Sequence, residues 1–336
     1  MTSKTQRQSN MELLRIVSML MVLAVHIDGA SLGLPSVSSF SRITTSGAWR
    51  LWVEAFTIVG VNCFTLLSGY YGIRLKFKSI SGFLFQCLFY SLLIYSVALL
   101  HTGFLPHVTF SWNGLLNQIL VLSRNDLWYV PAYFTLCLLA PFLNAGCNDM
   151  KRSRLTVCVS ILVLFNLWSG WYWGGKFNPT GYTIMQLVMV YLIGRVICLY
   201  IPIQATTGKK ITVYASVIYL ISVALIGVTA LYMPFTKAYA YNSPAVLSAS
   251  IALFLFFRGI RLHSATVNAL ATSAFAVYLV HKNPLVWQVF KGYVIKGWQI
   301  LDLWQFSVAV IIGMSGFYLL CFCIDRVRIL LWKLIS

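Results

Sequence analysis

Long apolar runs recur along the whole chain, separated by short stretches that hold most of its charged residues. Helices cross the hydrocarbon core of a membrane with about 20 mainly apolar residues, whereas strands of a membrane β-barrel alternate apolar and polar residues over about ten positions. The runs here do not alternate. They predict an all-α, polytopic integral membrane protein with about ten transmembrane helices. The predicted spans are residues 11–30, 48–70, 80–101, 127–145, 155–172, 182–201, 211–233, 244–260, 268–283 and 303–325.

Two further apolar segments, residues 112–122 and part of 284–300, are predicted to lie at the membrane interface. Hydrophilic loops are short, so residues 1–336 are predicted to form one integral domain, with short cytoplasmic tails at residues 1–10 and 326–336. The first apolar run is expected to be retained rather than cleaved as a signal peptide, because no convincing small-x-small site follows it.

Composition and charge agree with this class. The chain has 336 residues, of which 59% are hydrophobic and 10% are charged, against about 25% charged residues in soluble domains. Its net charge of +18 is interpreted as the Lys and Arg excess of cytoplasmic loops, not as a nucleic-acid-binding surface.

The positions of the basic residues predict cytoplasmic termini, because basic clusters recur on every second loop. The predicted cytoplasmic set is Lys4, Arg7, Arg74, Lys76, Lys78, Lys151, Arg152, Arg154, Arg195, Lys209, Lys210, Arg258, Arg261, Arg326, Arg328 and Lys333. The predicted outer set is smaller and consists of Arg42, Arg50, Arg124, Lys176, Lys237, Lys282, Lys291 and Lys296.

The eight cysteines do not predict a metal site. Most lie inside apolar runs, where a thiol packs as a small hydrophobe, and Cys321 and Cys323 lie in the last of these runs. Ten of the eleven tryptophans fall towards the predicted outer side. They form either an interfacial belt or platforms for sugar rings.

The first span contains the most informative residues, because an ionisable group at membrane depth is costly and marks a functional site by default. It contains Glu12, Arg15, His26 and Asp28. At about 100° and 1.5 Å per residue, Arg15 and His26 share one helix face within about 20° and lie roughly 16 Å apart along the axis.

Each of these groups has a functional and a structural interpretation. His26 can accept a proton from a hydroxyl near neutral pH, or it can bond a neighbouring helix. The planar guanidinium of Arg15 suits a phosphorylated ligand, and an ion pair with Glu12 at i−3 is equally compatible with the spacing. Asp28 is interpreted as an outer-end residue or helix cap.

Two groups of polar residues are weaker candidates for binding. Arg74, Lys76 and Lys78 follow the second span and either contact phosphates of a donor or reflect the positive-inside bias alone. Glu54 and Asn62, eight residues apart in the second span, either face a cavity or bond between helices.

Two stretches on the predicted outer side supply further candidates for the wall of an acceptor cavity. Trp128 and Tyr129 open the fourth span after Asp126, which is predicted to be its N-cap. Tyr278 and His281 end the ninth span and suggest a second wall of the same opening.

The chain resembles the acyltransferase-3 family of polytopic membrane acyltransferases. An Arg, ten residues and a His in the first helix form that family's signature, and Arg15 through His26 fits it. The stretches ELLRIVSMLMVLAVH, VNCFTLLSGYYGI, DLWYVPAYFTLCLLAPFLN and SAFAVYLVHKNP are similar to those of the branch that O-acetylates surface polysaccharides.

This resemblance implies a ten-helix domain in a bacterial-type inner or plasma membrane. Such a domain takes an acyl group from acetyl-CoA on the cytoplasmic side and passes it to a sugar hydroxyl of a glycan or its lipid-linked precursor. By the same resemblance His26 is the catalytic group and Arg15 supports the donor. In many members the basic cluster that follows the second span has more arginines. Here Arg74 is joined by Lys76 and Lys78, and a lysine does not reproduce the bidentate contact of an arginine with phosphate.

Three alternatives follow from the same residues. A transporter or flippase of a lipid-linked saccharide could use His26, Glu54 and Arg15 as a path, although the inverted repeats common in transporters are not visible. The acyl group could be another one, such as succinyl. Transfer could be direct or could pass through an acyl-enzyme.

Overall fold

The structure is a computed structural model that describes residues 8–34, 44–100, 103–123, 125–202 and 208–336. The described residues form helices and contain no β-strand, which confirms the all-α prediction. The helices are α1 (Ser9–Val25), α2 (Thr45–Thr57), α3 (Gly60–Tyr71), α4 (Phe77–Leu99), α5 (Trp112–Ile119), α6 (Tyr129–Asp149), α7 (Arg152–Phe165), α8 (Ile184–Tyr200), α9 (Lys209–Tyr232), α10 (Phe235–Ala238), α11 (Pro244–Gly259), α12 (Ala265–Ala271), α13 (Ala274–His281), α14 (Pro284–Ile300) and α15 (Leu303–Ile335).

Each of the ten predicted spans coincides with one of these helical segments. Among the described residues, seven segments have the length and apolar composition to cross a membrane, namely Ser9–Leu32, Thr45–Tyr71, Phe77–Leu99, Tyr129–Asp149, Arg152–Tyr172, Lys209–Tyr232 and Leu303–Ile335. Three shorter apolar segments are Ile184–Tyr200, Pro244–Gly259 and Ala265–His281. A polytopic membrane protein is therefore confirmed.

The number of membrane crossings and the cytoplasmic position of the termini stay predictions. Of the basic residues used for that topology, Lys4, Arg7, Arg42 and Arg124 lie outside the described residues. The two segments predicted to be interfacial are both helical, as α5 and α14.

Helix α1 lies at the centre of the fold. It packs against α3, α11 and α13, and the largest buried core joins these four helices. Leu14, Leu66, Phe254 and Val277 contribute one fully buried side chain from each. The helix that carries Arg15 and His26 is therefore held on several sides by apolar contacts, which fixes the orientation of its polar face.

Helices α3 and α8 approach each other closely at glycines. At Gly194 a Cβ atom would lie 2.6 Å from the carbonyl oxygen of Leu66 and 2.9 Å from the amide nitrogen of Tyr70. On the facing helix, a Cβ atom at Gly69 would overlap the backbone of Tyr191. Small residues at such crossings let helix backbones pack closely within a membrane.

We expect Gly194→Ala to destabilise the protein by about 1–3 kcal/mol, because the added methyl meets backbone atoms that can move only if the two helices separate. Thermal unfolding of the detergent-solubilised protein measures this. Gly313→Ala on α15 is the matched control, since nothing lies within 4 Å of a Cβ at that position. Equal thermal stability of the two variants would contradict the close crossing.

Candidate active site

One cavity of about 390 Å³ lies among the helices that surround α1. Its wall is formed by α1, α3, α4, the start of α6, the segment before α11, and α12 to α13. The lining residues are Arg15, Met19, Val22, His26, Val61, Phe64, Ser68, Phe83, Trp128, Tyr129, Tyr133, Tyr241, Ala271, Thr272, Phe275 and Tyr278.

Arg15 and His26 line this same cavity, as their spacing on α1 predicts. They lie on one continuous helical segment, Ser9–Leu32, Arg15 within α1 and His26 at the residue that follows it. The Arg15 guanidinium and the His26 imidazole therefore border one cavity at two positions along the helix axis. Their chemical roles stay predictions.

The ion pair predicted between Arg15 and Glu12 is present, with Arg15 Nη1 donating to Glu12 Oε2 at 2.6 Å. The Arg15 side chain nevertheless keeps 33% of its surface exposed. A guanidinium has five N–H donors and the Glu12 contact uses one of them. Arg15 can therefore pair with Glu12 and still donate to a second anion.

His26 begins a π-helical turn, His26–Leu32, that continues α1. Such turns are rare and occur often at functional sites. The His26 Nδ1 atom lies 3.0 Å from Nε2 of His281, and His281 Nδ1 lies 2.7 Å from the carbonyl oxygen of Val277. The two predicted histidines are thus in direct contact, although only His26 lies on the cavity wall and His281 is fully buried behind it.

Aromatic rings cover the part of the cavity near His26. Trp128, Tyr129 and Tyr278 all line it, in agreement with their predicted position. Tyr129 stacks on Tyr133 with ring centroids 5.6 Å apart, and Trp128 stacks on Tyr241 at 6.2 Å. Flat rings with hydroxyl groups at their edges offer both apolar faces and hydrogen-bond donors to a ligand.

Asn62 does not line this cavity and instead bonds between helices, as its structural interpretation predicts. Its Nδ2 donates to the carbonyl oxygen of Tyr241 at 2.9 Å, and its Oδ1 accepts from Gln186 Nε2 at 3.2 Å. Gln186 Nε2 donates to the same Tyr241 carbonyl at 2.9 Å. Non-helical backbone at membrane depth needs such partners, so Asn62 and Gln186 hold the segment that presents the Tyr241 ring to the cavity.

Glu54 is also absent from the described wall of the cavity. It is buried beside Gly29, close to a buried ion pair between Asp28 and Arg50. Arg50 donates from Nε to Asp28 Oδ1 and from Nη2 to the carbonyl oxygen of Gly33, and its guanidinium lies 5.4 Å from the centre of the Trp298 ring. Of the two interpretations of Asp28, an outer-end residue or a helix cap, the structure does not favour the cap, because the carboxylate pairs with Arg50 of α2.

We expect Asp28→Ala or Arg50→Ala to destabilise the fold by about 3–5 kcal/mol, since each leaves a buried charge without its partner. Replacing both residues by leucine should cost much less than either single change. Chemical unfolding of the purified variants gives the comparison. A double variant as unstable as the sum of the two single variants would show that the pair does not couple.

Arg74, Lys76 and Lys78 are exposed and do not contribute to the described wall of the cavity. Lys76 is the N-cap residue of α4, and Lys78 Nζ donates to the carbonyl oxygen of Ser336 at 3.3 Å. The end of α3 that precedes them contacts the start of α1, where Tyr71 donates to Gln8 Oε1 at 3.1 Å. The cluster therefore lies at the same end of the molecule as Arg15, outside the cavity.

The N-cap predicted at Asp126 is wrong. Helix α6 begins at Tyr129 after Trp128, which makes no side-chain cap, and Asp126 belongs to a separate 3-10 turn, Asn125–Leu127. Because a 3-10 turn and a helix N-terminus favour similar residues, the sequence does not separate them.

A buried polar cluster on α15 was not predicted from the sequence. Asp325 is fully buried and accepts from Arg328 Nε at 2.7 Å, from Tyr90 at 3.0 Å and from Ser273 at 2.8 Å. Arg326 donates to Thr272, a cavity-lining residue, at 2.5 Å. The cluster fixes the end of α15 against the cavity wall. Asp325 carried the same signal as Arg15, a charge within an apolar run, whereas Arg326 and Arg328 were explained by the positive-inside bias.

The described residues contain no group of three or more His, Cys, Asp or Glu side chains that could hold a metal ion. Cofactor requirement stays a prediction. What the cavity does offer is an imidazole, a partly exposed guanidinium and several phenolic hydroxyls around one apolar space.

A family model described as an acyltransferase domain, that of the acyltransferase-3 family, matches residues 8–326. The chain belongs to the acyltransferase-3 family. The match covers nearly the whole chain, including α1, every wall of the cavity and Asp325. The protein is therefore a membrane acyltransferase. No match was found to a curated protein or to a solved structure.

Proposed function

We propose that this acyltransferase-3 protein moves an acetyl group from acetyl-CoA to a sugar hydroxyl of a cell-surface polysaccharide or of its lipid-linked precursor. The observation that supports the proposal most directly is the presence of Arg15 and His26 on the wall of one cavity. The proposal places the protein in a bacterial-type inner or plasma membrane. It also places both termini in the cytoplasm, because basic residues recur on alternate loops.

His26 acts as the general base in this mechanism. It removes the proton of the acceptor hydroxyl while that oxygen attacks the thioester carbonyl carbon. The tetrahedral intermediate collapses with cleavage of the carbon–sulfur bond. The departing CoA thiolate takes the proton from His26, so the reaction consumes and releases no net proton.

Arg15 binds phosphate groups of the donor. Its charged N–H groups fit the oxygen atoms of a phosphate, and its exposed surface leaves donors available beside Glu12. In this proposal the phosphates of CoA bind near Arg15 at one end of the cavity, and the thioester lies near His26, roughly 16 Å away along the helix axis. The extended pantetheine arm connects the two.

The aromatic part of the wall binds the acceptor. Sugar rings present apolar C–H faces that pack on aromatic rings, and Trp128, Tyr129 and Tyr241 provide such rings close to the cavity segment that holds His26. Their polar edges reach sugar hydroxyls. This arrangement would bring one hydroxyl to the imidazole while the rest of the glycan stays in the outer part of the opening.

Labelled acetyl-CoA tests the proposal. The purified protein is reconstituted in lipid vesicles with an envelope glycan preparation, and the glycan is then analysed by mass spectrometry for an added acetyl unit. We expect label in the glycan only with the intact chain and not with His26→Ala. Succinyl-CoA in a parallel reaction decides between acyl groups. Glycan that crosses the vesicle membrane without acquiring label would instead indicate a transporter.

A further inference from the structure

We infer that His281 is a positioning residue that holds His26 in the tautomer with a bare Nε2 atom, ready to accept the proton of the acyl acceptor. The inference rests on the proposed role of His26 as the base. In this inference His281 orients His26 and does not line the cavity, although the sequence pattern suggests a lining position. The observations that support it are the contacts of the two imidazole rings.

The hydrogen-bond chain determines the tautomers. A carbonyl oxygen only accepts, so the 2.7 Å contact between His281 Nδ1 and the Val277 carbonyl oxygen places a proton on that nitrogen. A neutral His281 then has a bare Nε2. The 3.0 Å contact from His26 Nδ1 to this atom requires the proton to be on His26 Nδ1. In a neutral His26 the remaining nitrogen, Nε2, has no proton and is a base.

His281 itself is not in a position to act on substrate. Both of its ring nitrogens are engaged, one by Val277 and one by His26, and its side chain is fully buried behind the cavity wall. In other acyl-transfer sites a third group orients the general base. His281 has this role here and affects the reaction only through His26. When His26 gains a proton, its Nδ1–H donates a charge-assisted bond to His281, which is stronger than the neutral one.

Side chains of the surrounding helices pack around the two imidazole rings and keep them in contact. Tyr278 and Phe290 pack around His281, with ring centroids 5.8 Å and 6.2 Å away. Trp287 contacts His26 edge to face at 5.9 Å. Helix α14, which carries Trp287 and Phe290, packs on the π-helical turn that begins at His26. These contacts hold the His281 ring on two sides and the His26 ring on the side away from the cavity.

Two isosteric substitutions separate this role from simple packing. The amide of glutamine reaches the position of His281 Nε2, so His281→Gln keeps an acceptor for the His26 Nδ1 proton. The amide of asparagine reaches only the position of Nδ1, so His281→Asn keeps the bond to Val277 and removes the His281 acceptor from His26, which leaves the Val22 backbone as the other group near the His26 ring. We expect His281→Asn to lower kcat by roughly 10²-fold with an unchanged KM for acetyl-CoA, and His281→Gln to retain at least about ten times more activity.

Nitrogen-15 NMR of histidine-labelled protein in detergent reads the tautomer without any substrate. The chain has five histidines, and the resonances that disappear in His26→Gln belong to His26. The inference expects a protonated Nδ1 and a bare Nε2 on His26, with that preference lost in His281→Asn. A proton on His26 Nε2 would overturn it, and so would equal activity of the Asn and Gln variants. Should a folded His26→Ala protein keep the wild-type kcat, the proposed role of His26 as the base fails, and the NMR result still decides the tautomer.

Discussion

Replacing His26 by alanine is expected to lower acetyl transfer by at least roughly 10²-fold and up to about 10⁴-fold, the range that a correctly placed general base contributes. The loss should be in kcat, because the imidazole acts on the proton of the acceptor and not on the phosphates of the donor. Steady-state release of CoA from acetyl-CoA by reconstituted protein, followed with a thiol reagent, measures it.

His263 provides the matched control for this experiment. It is an exposed histidine after α11, away from the described cavity wall, so His263→Ala should keep full activity. Thermal unfolding of both variants shows whether the fold is intact. A folded His26→Ala protein with wild-type kcat would exclude His26 as the base. A burst of CoA release in the absence of acceptor would favour an acyl-enzyme over direct transfer.

Arg15→Ala is expected to raise the KM for acetyl-CoA by about 10- to 100-fold, since hydrogen bonds to charged groups contribute about 1.5–3 kcal/mol. The KM of Arg15→Lys should lie between those of Arg15→Ala and the wild type, because lysine keeps the positive charge and lacks the planar guanidinium. The sharper measurement uses acetyl-pantetheine, which lacks the nucleotide phosphates. Its KM should be high and the same in wild type and Arg15→Ala.

Glu12→Gln distinguishes donor binding from a purely structural ion pair. The Arg15–Glu12 contact joins residues one helix turn apart and is part-buried, with 33% of the Arg15 side chain and 12% of the Glu12 side chain exposed. Removing the charge of Glu12 should cost little, because ion pairs one turn apart contribute about 0.2–0.5 kcal/mol to a helix. If Arg15 serves only that pair, Glu12→Gln and Arg15→Ala should have equal effects. Donor binding predicts a small change for Glu12→Gln and a large one for Arg15→Ala. An unchanged KM in Arg15→Ala would contradict the assignment.

Many features of the fold follow from the sequence because helix formation in a membrane is local. Each apolar run must satisfy its own backbone hydrogen bonds, so its length and composition predict a helix without reference to the other helices. All ten predicted spans coincide with described helices for this reason. The shared face of Arg15 and His26 is equally local, since it depends only on the rotation per residue of one helix.

The assignment of individual polar groups was less reliable where two interpretations shared one pattern. Asp28 fits an outer-end residue or a helix cap by its position, and it pairs with Arg50. Asp126 fits a helix N-cap and belongs to a 3-10 turn. The spacing of Asn62 fits either a cavity or an interhelical bond, and Asn62 makes the bond. For Asp28 and Asn62 the deciding partner lies on another segment of the chain, and apolar periodicity does not identify it.

The sequence by itself determined the class of protein, the helices, the polar face of α1 and, through the resemblance of its motifs, the family that the match over residues 8–326 shows. Only the tertiary structure decided that His26 contacts His281 across 255 residues, that aromatic residues from several helices enclose one cavity, and that the basic cluster from Arg74 to Lys78 stays outside it. The physical reason is that helix crossings depend on how side chains from distant segments pack together. That packing brings the rings of two histidines to hydrogen-bonding distance. The order of residues along either helix does not predict this contact.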